Sequence, residues 1–215
     1  MKILLSALAS ALIAFPATAQ VVLEPPAQVI QVGKAEVTCL AIAPKGDRIL
    51  VGTNRGAELR DLETGKRVAQ FPYEEDGSTV VYHAAFNDNG ELVVLIGFAG
   101  TRQVWDVKSG KQDKMLARHR WIPDAIRTRD LGLKKGNSDF DRFYQQTEAE
   151  HAGITARADK EGAVVFTDAD GDALQTLTYP ENKDKHHLAP CLFHEGRFIT
   201  GTDNGRVIFY ELAKP

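Results

Sequence analysis

Residues 44–66 read Pro44-Lys45-Gly46-Asp47-Arg48-Ile49-Leu50-Val51-Gly52-Thr53-Asn54-Arg55-Gly56-Ala57-Glu58-Leu59-Arg60-Asp61-Leu62-Glu63-Thr64-Gly65-Lys66. Between the punctuating glycines 46, 56 and 65 lie runs just long enough for one strand each, with apolar and polar residues interleaved. Glycine adopts the positive φ that tight hairpin loops demand, so this spelling predicts consecutive antiparallel strands joined by short turns. The strands expected are Thr38–Ile42, Ile49–Thr53, Ala57–Leu62 and Arg67–Phe71.

The same spelling returns with Gly90, Gly100 and Gly110, then Gly162 and Gly171, then Gly196 and Gly205. In the second copy the expected strands are Val80–Phe86, Leu92–Ile96, Gln103–Val107 and Gln112–Leu116. A sheet of three or four short strands cannot bury its own faces, so copies of it must stack on one another. The expected fold is all-β: a small β-propeller of four or five blades over residues 20–215. The blades are placed at about 36–71, 79–117, 154–180 and 188–212.

Pro44-Lys45-Gly46, Gly52-Thr53, Arg60-Asp61-Leu62 and Thr64-Gly65-Lys66, with Trp105-Asp106-Val107 and Ser109-Gly110-Lys111, resemble the blades of WD-repeat β-propellers. Trp105-Asp106 matches the pair that names that family. The first copy has Arg60-Asp61 there and the last Tyr210-Glu211. Quinoprotein-type propeller repeats share the Thr-Gly-Lys turn. The resemblance implies a rigid scaffold with protein partners.

The last copy stops after three strands, and an unpaired sheet edge invites aggregation. Gln28-Val29-Ile30-Gln31-Val32 has the alternation to supply a fourth, so residues 28–32 are expected to complete the C-terminal blade. Between the second and third copies lies an insertion, 118–153. Ser138 with Asp141 resembles a helix start, Phe140, Phe143 and Tyr144 share a helical face, and Gly153 sits where a helix would end, so a helix is expected over 138–152, with a degenerate fifth blade as the alternative.

The opening of the chain reads as a signal peptide, residues 1–19: Lys2, an apolar stretch Ile3–Phe15, then Ala17-Thr18-Ala19. That stretch is too short for a bilayer, and Gln20 rather than Cys follows it, so neither membrane span nor lipid anchor is expected. The protein is expected to be periplasmic or secreted, as a monomer or homodimer. Without Lys2 the chain has 25 Lys and Arg against 29 Asp and Glu, a net charge of −4, which excludes a globally basic nucleic-acid binder. Cys39 and Cys191 open the first and last blades; an oxidising compartment lets them pair, and two buried thiols is the equal alternative.

Asp168-Ala169-Asp170-Gly171-Asp172 has the carboxylate alternation of a calcium loop, but its glycine comes too early and no Glu follows at the twelfth place, so it reads as a hairpin turn. Of His83, His119, His151, His186, His187 and His194, only His186-His187 are adjacent, and in a strand they would point to opposite faces. No metal, no cofactor and no catalytic residue is therefore expected. The strongest functional signal is charge segregation: Arg102–Lys135 holds ten basic and four acidic residues, leaving −10 on the rest of the mature chain. Within it Arg118, Arg120, Trp121, Arg127 and Arg129 combine guanidinium groups with a large aromatic, a composition favoured at interface anchors. The function expected is a non-catalytic module binding a protein with an acidic surface. The alternative is a periplasmic enzyme or accessory factor holding a metal or quinone-type cofactor in the propeller channel.

Overall fold

A computed structural model describes residues 20–97, 101–115, 145–177, 179, 181 and 186–214. The chain is all-β. Its first sheet takes β2 (Val37–Ile42), β3 (Arg48–Thr53), β4 (Gly56–Asp61) and β5 (Arg67–Phe71) in sequence order. The second takes β6 (His83–Phe86), β7 (Leu92–Ile96) and β8 (Arg102–Asp106); the third takes β9 (Glu148–His151), β10 (Ile154–Ala158), β11 (Val164–Thr167) and β12 (Ala173–Thr176). The fourth takes β13 (Cys191–His194), β14 (Arg197–Gly201) and β15 (Arg206–Glu211), and beyond β15 it takes β1 (Gln28–Gln31) from the other end of the chain. All the pairings within these four sheets are antiparallel.

The expected closing strand is present. Val29 lies opposite Ile208 and Ile30 opposite Val207. Ahead of β1, the Leu23 and Ala27 amides donate to the carbonyls of Glu211 and Phe209 at 2.8 Å each, and Val22 bridges to Leu212.

The sheets pack face to face, and strand alternation explains why so many strands are apolar on both sides. On β3, Ile49 and Val51 join Ile30, Val207 and Phe209 in a core between the first and fourth sheets, while Leu50 points the other way to meet Val93, Leu95 and Trp105 of the second. On β15, Val207 and Phe209 face the first sheet; Ile208 and Tyr210 face the third, against Phe166 and Val164. A sheet with neighbours on both sides needs apolar residues at odd and even positions alike. The described residues thus give the stacking order third, fourth, first, second.

The expected glycine turns are made: Gly46, Gly56, Gly65, Gly90, Gly110, Gly162, Gly171, Gly196 and Gly205 all have positive φ. Asp61 and Asp106, the acidic members of the Arg-Asp and Trp-Asp pairs, do one job. Each carboxylate accepts the backbone N–H three residues on, Thr64 at 2.7 Å and Ser109 at 2.6 Å, tightening the turn that follows β4 or β8. The hydroxyls of Thr64 and Ser109, then those amides, hold both carboxyl groups below the usual carboxylate range.

Three expectations need correction. No helix occupies the described part of 138–152: Gln145–Thr147 is one 3-10 turn, and Glu148–His151 is the inner strand of the third sheet. Ala152 and Gly153, with φ of 50° and 80°, form the two-residue hairpin loop between β9 and β10 rather than a helix end. The third sheet therefore has four strands and begins at Glu148, not at Ile154, and Gly162 closes its second turn instead of its first. In the second sheet the described part of the expected fourth strand, 112–115, makes a bridge between Gln112 and Trp105 and a bond from the Asp113 amide to the Val104 carbonyl, 2.7 Å. Of the two readings of Cys39 and Cys191, the buried thiols are what the structure has: both are free and buried. Cys39 packs between the first and second sheets and Cys191 between the third and fourth, so the stacking separates the two thiols. Burial pushes the Cys39 thiol up to about 12 and raises that of Cys191 as well.

Candidate functional site

Antiparallel sheets put alternate connections at opposite ends, and at one end the entries to the four innermost strands β2, β6, β9 and β13 converge. A small cavity with room for about one water molecule lies there. It is lined by Glu36 and Thr38 of the first sheet, Tyr82 leading into the second, Gln146 and Thr147 leading into the third, and His186 and Leu188 leading into the fourth. Each sheet contributes to it.

Polar side chains tie these entries together. The Gln146 amide spans from the third sheet to the first: its Oε1 accepts the Leu40 N–H at 2.8 Å and its Nε2 donates to the Leu40 carbonyl at 2.7 Å. The Thr38 hydroxyl donates to the Val81 carbonyl. Main-chain bonds repeat the pattern, with the Val37 amide donating to the Thr202 carbonyl and the Val81 amide to the Thr53 carbonyl, both at 3.0 Å.

His186 is the buried polar centre of this rim, its side chain 3% exposed. Its amide donates to the Gly162 carbonyl of the third sheet at 3.0 Å, and its ring reaches the first sheet. Nδ1 is 2.7 Å from Oδ1 of Asp203, in the turn between β14 and β15. Nε2 is 2.9 Å from the Val37 carbonyl oxygen and 3.6 Å from Oε1 of Glu36. The Leu188 N–H also points at Nδ1, from 3.4 Å, too far to compete with the carboxylate. Among the described residues, Glu36, His186 and Asp203 form a group whose ligand atoms lie within 4.8 Å of one another.

This group is not legible along the chain. Its members sit in three connections, 150 and 17 residues apart, and no motif spans them. His186 is buried and His187 exposed, in the loop that leads to β13. Asp168–Asp172 is the turn expected between β11 and β12, its Asp168 carboxylate accepting the amides of Asp170 and Asp172 at 3.0 and 2.9 Å. His83, on β6, is buried, and His194 lies on β13 beside Glu195.

Arg118, Arg120, Trp121, Arg127 and Arg129 lie outside the described residues, as do residues 1–19. The described residues that flank 116–144 are Met115, which is exposed, and the 3-10 turn whose Gln146 lines the cavity. Among the described residues no helix is long and apolar enough to cross a membrane. No protein-family model and no curated protein matches this chain, so the fold and this rim alone inform its function.

Proposed function

We propose that the chain is an exported, propeller-like scaffold that binds a protein partner through the face where the four inner strands begin, without catalysing a reaction. The supporting observation is the convergence itself. Connections from all four sheets meet around one cavity, tied to neighbouring sheets by main-chain bonds and by the Gln146 side chain, which is how a rigid framework displays binding loops. A closed ring of four WD-like blades is the architecture that fits best. β1 completes the last sheet, and Val94 and Val104, on the face of the second sheet turned away from the first, are 1% exposed and hence covered as well.

The partner has an acidic surface. The connection between the second and third sheets holds Arg118, Arg120, Trp121, Arg127 and Arg129, and its described C-terminal flank reaches the cavity. The test is affinity capture from the periplasmic fraction with the mature chain and its Arg118→Glu/Arg120→Glu variant. Capture that is salt-sensitive in the parent and lost in the variant, at unchanged melting temperature, is the outcome expected. Undiminished capture by the variant refutes the reading.

A further inference from the structure

We propose that Glu36, His186 and the main-chain carbonyl of Val37 form a binding site for one divalent cation at the rim of the four-sheet cavity, with Asp203 orienting the imidazole. This site is independent of the protein-binding reading.

The geometry around His186 supports it twice over. Asp203 takes the Nδ1 side of the ring at 2.7 Å. A carboxylate on one imidazole nitrogen is the arrangement that fixes the tautomer of a metal-ligating histidine and turns its other nitrogen toward the ion. Here that other nitrogen, Nε2, faces two oxygens: the Val37 carbonyl at 2.9 Å and Glu36 Oε1 at 3.6 Å. Donor atoms on one ion with bonds of about 2.0–2.2 Å stand about 3.0–3.6 Å apart, depending on whether the angle between them is near 90° or tetrahedral. The two separations from Nε2 match that spacing, and the Val37 carbonyl moves off the Nε2–H axis when an ion replaces the hydrogen bond.

Nε2 faces the Val37 carbonyl at hydrogen-bond distance and the Glu36 carboxylate beyond it, and an ion binding here takes the place of the Nε2 proton. The adjoining cavity has room for about one water as a further ligand. One imidazole with carboxylate and carbonyl oxygens is a borderline donor set, suited to Zn²⁺ or Mn²⁺ rather than Cu⁺, and too rich in nitrogen for Mg²⁺.

Calorimetric titration of the untagged mature chain with zinc chloride, after chelator treatment, tests the site. The expected result is one ion per chain, with affinity at least about tenfold weaker in Glu36→Gln and unchanged in His187→Gln. Glu36 is partly exposed, so Glu36→Gln leaves the fold intact. In the parent, nitrogen-detected NMR is expected to show the Nε2 resonance of His186 moving on zinc addition while Nδ1 stays protonated. Absence of zinc uptake overturns the proposal, and so does uptake that Glu36→Gln leaves unchanged or that His187→Gln abolishes. Absence of uptake makes the His186–Asp203 pair a purely structural hydrogen bond, and the other two results place the zinc elsewhere on the chain.

Discussion

Acid should destabilise this protein through His83, and the size of the effect follows from its position. His83 lies on β6, the innermost strand of the second sheet, opposite Ile96, and is 8% exposed. Burial pushes its titration down to about 4 from the usual 6.5. The folded protein therefore keeps the ring neutral in a range where the unfolded chain has taken up a proton. As pH falls below 6.5 the unfolded state gains stability first, and the loss to the fold is complete only below about 4. The full difference is about 3 kcal/mol, and about 2.5 kcal/mol of it is expressed at pH 4.5. Urea unfolding at pH 7 and pH 4.5 of the parent and of His83→Gln measures it. The parent should lose about 2.5 kcal/mol more than the variant between the two pH values, whatever the substitution costs at pH 7, because that cost cancels. Equal losses in the two proteins would show that His83 stays solvated, and would refute the burial argument.

Two backbone contacts give further tests. Gly205 combines a φ of 75° with main-chain oxygens of Gly33 and Ala35 at 2.6 and 2.8 Å from where a Cβ would stand, so Gly205→Ala should lower stability by about 2 kcal/mol in denaturant unfolding. No change would mean that the link between β1 and β2 does not pack there. The Tyr73 hydroxyl accepts the Gly97 amide at 2.6 Å and donates to the Thr101 carbonyl at 2.7 Å, so Tyr73→Phe leaves a buried N–H without its partner. A loss of about 2 kcal/mol in thermal or urea unfolding is expected, and a shift below about 0.5 kcal/mol would count against that latch.

What the sequence revealed and what it hid divide on physical lines. Strands bounded by glycine turns, such as β3 and β5, were legible within a residue, because positive φ at the turn and apolar content in the strand are both local. β9 was not legible. Glu148-Ala149-Glu150-His151 has no apolar alternation, and Ala152-Gly153 spells a hairpin and a helix end equally well. Gly52, Gly97 and Gly201 were visible as residues, but their reason was not. Their backbones are not in the left-handed region; each is small because Cys39, Tyr73 with Glu75, or Val37 leaves no room for a side chain. The rim of the cavity was hidden for a related reason. His186, Glu36 and Asp203 meet only when the fourth sheet is stacked on the first, and nothing about any one of them in the chain announces the other two.

Because β1 belongs to the last sheet, the first of the described strands waits for β15. Ile30 and Val207 are partners 177 positions apart, and bringing them together costs about 4–5 kcal/mol of loop-closure entropy before their contacts form. Until β15 is made and pairs with β1, the apolar face of β1 is open to other molecules, which makes the interval between synthesis and this pairing the time of greatest exposure to self-association. A circular permutant that begins at Glu36 and carries residues 20–33 after Leu212 through a short linker would turn this distant pairing into a local hairpin. The same sheets would then assemble faster, with no change in what holds them together.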